Sequence, residues 1–154
     1  MTAPAAAPVQ VRPARAPDLA AWAAMRHALW PDADVGALAD EARAMLEGGR
    51  EAAFIAVRDG VPVGMAEASL RREYVNGTGS SPVGFLEGWY VVPEWRARGV
   101  GRALVAAVEG WARAQGCTEL ASDAALDNSA SLAAHARCGF EETERVVYFR
   151  KALA

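Results

Sequence analysis

Val91-Val92-Pro93-Glu94-Trp95-Arg96-Ala97-Arg98-Gly99-Val100-Gly101-Arg102 ends a strand, turns through a basic, glycine-containing loop and starts a helix without a spacer. Such a turn presents several unpaired backbone N–H groups to one point, and the helix dipole adds partial positive charge there. Glycines at 99 and 101 keep side chains away from a ligand, while Arg96, Arg98 and Arg102 can neutralise one. The stretch reads as a pyrophosphate cradle, although glycine spacing alone would also suit an ordinary strand-to-helix turn with solvated arginines. Two other glycine-rich turns fail on spacing. A dinucleotide fingerprint needs a third glycine where this chain has Leu104, and a P-loop needs Gly-Lys-Ser/Thr, whereas the only lysine is Lys151.

Working outward, the strand before the turn spans 83–92, behind a long loop from Arg71 to Pro82 that contains Asn76-Gly77. Two earlier strands, 53–57 and 63–70, flank Asp59-Gly60, a hairpin signal. Before them lie a short strand at 9–11 and two helices. The first runs through Leu19, Trp22, Met25 and Leu29 to the Trp30-Pro31 step, and the second from Asp34 to Glu47. After the turn, Leu104, Val105, Val108, Trp111 and Ala112 form one helical stripe that stops at Gly116. A strand at 119–122 follows, then a helix from Ser129 to Cys138 behind Asn128 as N-cap, and a last strand from Thr143 to Arg150. The order is β-α-α-β-β-β-α-β-α-β, an α/β (α+β) fold with a mixed sheet. Residues 9–154 are expected to form a single domain behind a disordered, Ala/Pro-rich N-terminus at 1–8.

Composition narrows the function. The chain has 154 residues and a formal charge of −3, which argues against a protein built to grip nucleic-acid backbones. No apolar run approaches ~20 residues, so no membrane span is expected, and nothing resembles a signal peptide. Cys117 and Cys138 give neither a disulfide framework nor a metal-ligand spacing, so no metal is expected and the thiols read as buried and inert. A cytoplasmic protein is the expectation. The stretch Pro31 to Glu47 holds five acids, Asp32, Asp34, Asp40, Glu41 and Glu47, against one base, Arg43.

The run Arg96-Ala97-Arg98-Gly99-Val100-Gly101 resembles the acyl-CoA motif Gln/Arg-x-x-Gly-x-Gly/Ala of the GNAT superfamily of N-acetyltransferases. The element order along nearly the whole chain fits that fold, as do Asn128 before a short helix and Gly139-Phe140. Further blocks are similar to those of aminoglycoside 6′-N-acetyltransferases: Leu29-Trp30-Pro31, Tyr74-Val75-Asn76-Gly77, Ser80-Ser81-Pro82, Phe85-Leu86-Glu87-Gly88, Ala121-Ser122-Asp123 and the stretch from Gly139 to Val146. The resemblance implies that Trp30, Tyr74, Glu87 and Asp123 line an aminoglycoside site and that Glu144 reaches it from the second subunit of a homodimer. It implies contacts to acetyl-CoA from Trp89, Tyr90 and Val91, from the turn Ala97, Arg98, Gly99, Val100, Gly101 and Arg102, and from Asn128.

The residue types suit that chemistry. An aminoglycoside is a polycation, best met by carboxylates and aromatic faces. Glu87 stands in an otherwise apolar strand, where burying a carboxylate is costly unless it is paired or used, and Asp123 lies just beyond a strand end, where open sheets place ligands. The implied reaction is direct attack of the 6′-amine on the acetyl-CoA thioester in a ternary complex. Glu87 or Asp123 would take the amine's proton, and backbone N–H groups near Tyr90 would polarise the carbonyl. His135 stands where many members of the superfamily carry a tyrosine acid; it reads more readily as a packing residue, and nucleophilic catalysis by Cys138 is discounted. Two alternatives stay open: a GNAT enzyme for another small amine or polyamine, and a catalytically silent CoA-binding sensor.

Overall fold

In the computed structural model, strands β1 (Gln10–Pro13), β2 (Glu51–Arg58), β3 (Val61–Arg71), β4 (Val83–Val91) and β5 (Leu120–Ser122) lie side by side in chain order. The first four pair antiparallel and β5 runs parallel to β4. The structure describes residues 8–154, so positions 1–7 of the expected N-terminal tail lie outside the described residues. The β2–β3 hairpin turns at Asp59 (φ 48°) and Gly60 (φ 77°), the left-handed pair that a two-residue type I′ turn requires.

The two-residue period of the strands sends alternate side chains to opposite faces. Ile55 and Met65 pack on one face against Trp22 and Met25 of α1 (Leu19–Leu29) and Ala42 of α2 (Val35–Leu46). Their neighbours Ala56 and Ala66, with Val63, Ala68 and Leu86, pack on the other face against Val100, Leu104, Val105 and Val108 of α3 (Val100–Ala114). The small strand residues let α3 lie close to the sheet, and its apolar stripe is the one read from the sequence. Cys138 and Phe140, just after α4 (Ser129–Arg137), join that second layer. Asp34 caps α2 through Ala37 N–H, and Asn128 caps α4 through Ser131 N–H.

Two irregularities in β4 matter for function. Glu67 pairs with Gly88 and Ala68 with Leu86, so Glu87 is an extra residue, a bulge opposite β3. On its other side, β4 pairs with β5 only from Gly84↔Leu120 to Leu86↔Ser122. Beyond Leu86 the two strands part.

The strand expected at Thr143–Arg150 is not formed: residues 141–154 carry no regular structure and are exposed throughout. A strand needs an edge to pair with, and this segment finds none within its own chain. Val147, Tyr148 and Phe149 are consequently 74%, 83% and 93% exposed.

At the start of α1, Arg12 donates both Nη1 and Nη2 to the buried Asp18 carboxylate, at 2.7 and 3.0 Å, and Arg15 N–H adds a third bond at 2.7 Å. The Arg12 hydrogen bonds hold the Asp18 carboxyl below the usual carboxylate range, against the opposing effect of burial. A carboxyl lowered on folding stabilises the fold above its unfolded pKa, and that contribution is lost as pH falls through the lowered folded value. Urea denaturation at a series of pH values should therefore show stability falling on acidification below pH ~4. Asp18→Asn should be less stable at pH 7 and show a shallower decline.

Candidate active site

The turn into α3 has the geometry of an anion cradle. Ala97 (φ 60°) and Gly99 (φ 84°) are both left-handed, which curls the backbone, and Gly99 caps the helix without a side chain. The N–H groups of residues 100–102 thus have no intrahelical acceptor, while Ala103 N–H already bonds the Gly99 carbonyl at 3.0 Å. The three arginines have separate tasks. Arg96 Nε donates to the Val91 carbonyl (2.8 Å) beneath its cation–π contact with Tyr90; Arg98 stacks on Trp95; Arg102 Nη2 donates to the Arg137 carbonyl (2.8 Å), tying the start of α3 to the end of α4. Trp89 Nε1 donates to the Gly101 carbonyl at 3.1 Å, and its ring fills the space a side chain at 101 would need. The Asn128 side-chain oxygen is taken by the α4 cap, which leaves its amide N–H groups for a ligand.

On the other face, a cavity of about 490 Å³ opens between α1, α2 and the sheet, lined by Arg26, Trp30, Glu41, Glu51, Glu67 and Glu87 among others. It brings together two of the expected residues, Trp30 and Glu87. Asp123 is exposed one residue past Ser122, as Glu87 is one past Leu86; the two residues therefore follow the last paired positions on the two sides of the gap where β4 and β5 part. Tyr74 (75% exposed) and Glu144 lie on the surface and do not line the cavity.

Glu87 stands in an otherwise apolar strand, and the bulge leaves its carboxylate in the open, where it is paired. Its Oε1 accepts from Ser69 Oγ (2.5 Å) and from Arg71 Nη2 (2.7 Å) and Nε (3.2 Å), and Arg71 lies flat over Phe85. The buried carboxylate is instead Glu67, 2% exposed. Trp22 Nε1 donates to its Oε2 (2.8 Å) and Arg26 Nη1 to its Oε1 (3.3 Å), while Arg26 Nη2 reaches Glu41 (2.7 Å). Burial raises the Glu67 pKa, with Arg26 and the Trp22 hydrogen bond opposing it. The sequence signal for Glu67 is the one that singled out Glu87, a lone acid in an apolar strand; Arg26 carries the matching signal, a guanidinium four residues after Trp22 on the buried stripe of α1.

His135 is held by polar and aromatic contacts. Its Nδ1 lies 2.7 Å from the Ser131 carbonyl, which can only accept, so that nitrogen carries the proton; Nε2 faces Ser122 Oγ at 2.8 Å. Trp89 and Phe140 meet the ring edge to face. Burial raises the Cys138 thiol pKa, which keeps it in the un-nucleophilic form, and no cluster suited to a metal occurs among the described residues.

The acetyltransferase (GNAT) family profile matches residues 21–140. A relative from Stenotrophomonas maltophilia, named aminoglycoside N(6′)-acetyltransferase type 1, is 56% identical over 144 residues, 93% of each chain. This chain belongs to the GNAT family. A relative of the same name from Acinetobacter haemolyticus is 46% identical over 94% of this chain and 99% of its own. Among solved structures, the aminoglycoside N-acetyltransferase AAC(6′)-Iy in complex with CoA superposes with a TM-score of 0.94 at 42% identity, covering 99% of this chain and 100% of that one. The same enzyme with a bisubstrate analogue, CoA-S-monomethyl-acetylneamine, gives 0.91 at 43% identity over 96% and 100%.

Acetyl-CoA fits the residues present. The bare N–H groups at the start of α3 suit its pyrophosphate, and the unpaired edge of β4 beyond Leu86 offers backbone groups to its amide arm. Gly99→Ala should lower stability by about 1 kcal/mol, because its φ is unfavourable for a side chain. It should also weaken CoA binding in calorimetry at least tenfold.

Proposed function

We propose that the chain transfers the acetyl group of acetyl-CoA to the 6′-amine of aminoglycoside antibiotics, which removes a charge the drugs need and confers resistance. The observation that carries this reading is a carboxylate-rich, Trp-walled cavity beside the β4–β5 gap, opposite in charge to the cradle at the start of α3. A polyamine sugar and an anionic thioester meet there from two sides.

Acetyl-CoA supplies the activated acyl group; the chain's own residues do the rest. The N–H groups of residues 100–102 hold the pyrophosphate, with Ala97, Arg98 and Asn128 around them, and Trp89, Tyr90 and Val91 border the β4 edge. Backbone N–H groups released from pairing beyond Glu87 polarise the thioester carbonyl. Trp30 gives the sugar a flat face, and Glu87 and Asp123, on opposite lips of the gap, bind the ammonium and take its proton, directly or through water. Glu87 already holds a cation, Arg71, so a substrate ammonium replaces like with like. Holding amine and carbonyl in line is much of the catalysis.

The C-terminal segment supports a homodimer. Residues 146–149, Val-Val-Tyr-Phe, form an exposed run of β-branched and aromatic side chains, the outer edge of β5 carries no strand among the described residues, and Glu144 and Tyr74 are left outside the cavity of their own chain. A second copy that accepts this segment would bury the aromatics and bring Glu144 to its site. No helix is long and apolar enough to cross a membrane, and both described cysteines are free, which suits a cytoplasmic location with its supply of acetyl-CoA.

CoA thiol release decides the function. Kanamycin, with a 6′-amine, should turn over at least tenfold faster than spermidine, and an aminoglycoside with a 6′-hydroxyl should be inert; equal rates for kanamycin and spermidine would favour a general amine acetyltransferase, and CoA binding without turnover a sensor. Glu87→Gln and Asp123→Asn should each lower kcat/KM for kanamycin at least tenfold, about 1.4 kcal/mol or more, with CoA binding intact. In sedimentation, the full chain should run at twice its 16.2 kDa, and deletion of 143–154 should yield a monomer with a raised kanamycin KM.

A further inference from the structure

Trp30 caps α1 from outside the helix, with φ −123° and ψ 72°, so helical geometry does not fix the direction of its ring. Two contacts do. Its outer edge lies on Gly88, where an added Cβ would fall 2.7 Å from the indole, and the Arg26 guanidinium lies 5.0 Å from the ring centroid on the inner side. Arg26 is one turn back on α1, 4% exposed, and its own position is set by the buried Glu67 below and the surface Glu41 above. Its Nε has no hydrogen-bond partner among the described residues. The two acid partners differ in kind. The Glu67 side chain is 3% exposed and also gripped by Trp22, whereas the Glu41 side chain is 59% exposed and meets Arg26 through one short contact. An ion pair with so exposed a partner is weak and exchangeable. A buried guanidinium left without any partner would be costly, but here Glu67 and the Trp30 face remain when Glu41 lets go.

We propose that Arg26 is a positioning residue for the amine site: anchored on Glu67, it fixes the Trp30 indole as a wall of the cavity and holds Glu41 ready to pass to an incoming ammonium of the substrate. The inference rests on the aminoglycoside reading of that cavity. The substrate class is one with an ammonium beyond the reacting amine, since Glu41 stands on α2 and not at the β4–β5 gap. A monoamine gains nothing from the exchange. Binding proceeds by swapping one cation for another on Glu41, and no proton needs to move.

The test is steady-state kinetics on the full-length enzyme with kanamycin and acetyl-CoA, for Arg26→Met, Trp30→Ala and the double variant, with melting curves for each. Arg26→Met keeps the apolar stem and removes the charge and the fork. It should raise the kanamycin KM at least tenfold, with kcat and the acetyl-CoA KM within twofold of wild type, and in the Trp30→Ala background should add only about threefold, the share carried through Glu41. A change of less than twofold in the kanamycin KM, an equal rise in both backgrounds, or a parallel rise in the acetyl-CoA KM would overturn the proposal. Should Arg26→Met fail to fold, Glu41→Gln on the surface carries the test: it should raise the kanamycin KM at least threefold with an unchanged Tm, and an unchanged KM would overturn the exchange. Absence of kanamycin turnover by the wild-type enzyme would overturn the reading of the cavity itself, and with it the proposal.

Discussion

The parting of β4 from β5 after Leu86 and Ser122 is the constraint on which the site depends. Backbone polar groups inside a protein are almost always paired, so a strand edge that loses its partner in mid-sheet must be completed by something else. Here the loss coincides with the Glu87 bulge on the opposite side of the same strand, so the chain from Glu87 to Val91 is released from β5 and kinked against β3 within a few residues. The continuation of β4 leads through a single 3-10 turn, Pro93–Trp95, to the glycine turn that opens α3. The open edge and the N–H groups at the helix start lie a short turn apart on one chain segment, with Leu104, Val105 and Val108 packing α3 under the sheet.

Charge is divided between the two faces of this sheet. One side offers arginines and helix N–H groups, and the other sets Glu41, Glu51, Glu67 and Glu87 around a single base, Arg26. The net charge of −3 conceals this division. An acidic face attracts cations and a basic turn attracts phosphates, and here the strand itself keeps the two fields apart.

Much of this was legible in the sequence where the signal is local. The Asp59-Gly60 hairpin, the Asn128 cap, the stripe of α3 and the glycine turn each follow from residues a few positions apart, and each formed as read. What was not legible depends on pairings over long distance. The apolar neighbours of Glu87 say only that it must be paired or used; that it is paired in the open, with Arg71, follows from a bulge, which is a property of two strands. Arg26 shows its meaning only once β3 brings Glu67 beneath α1. The β-branched and aromatic run Val146 to Phe149 has a strand's composition without a strand's partner, since pairing is settled by the neighbouring edge and not by the segment alone. The family resemblance named Trp30, Glu87 and Asp123 together; the register of β4 on β5 and the walls of the cavity supply a physical reason for that grouping.

The cationic side chains around the cradle are all arginine. A guanidinium stays protonated at any physiological pH and is no nucleophile, whereas a lysine amine held beside a thioester would be an acceptor in its own right. An enzyme that stores an activated acyl group against its own surface is protected from self-modification by that choice. In the whole chain one side-chain amine exists, Lys151, and it sits exposed near the C-terminus, away from the turn. The arginine-rich composition thus acts as chemical insulation: charge enough to hold the donor, with nothing at hand to consume it before the substrate arrives.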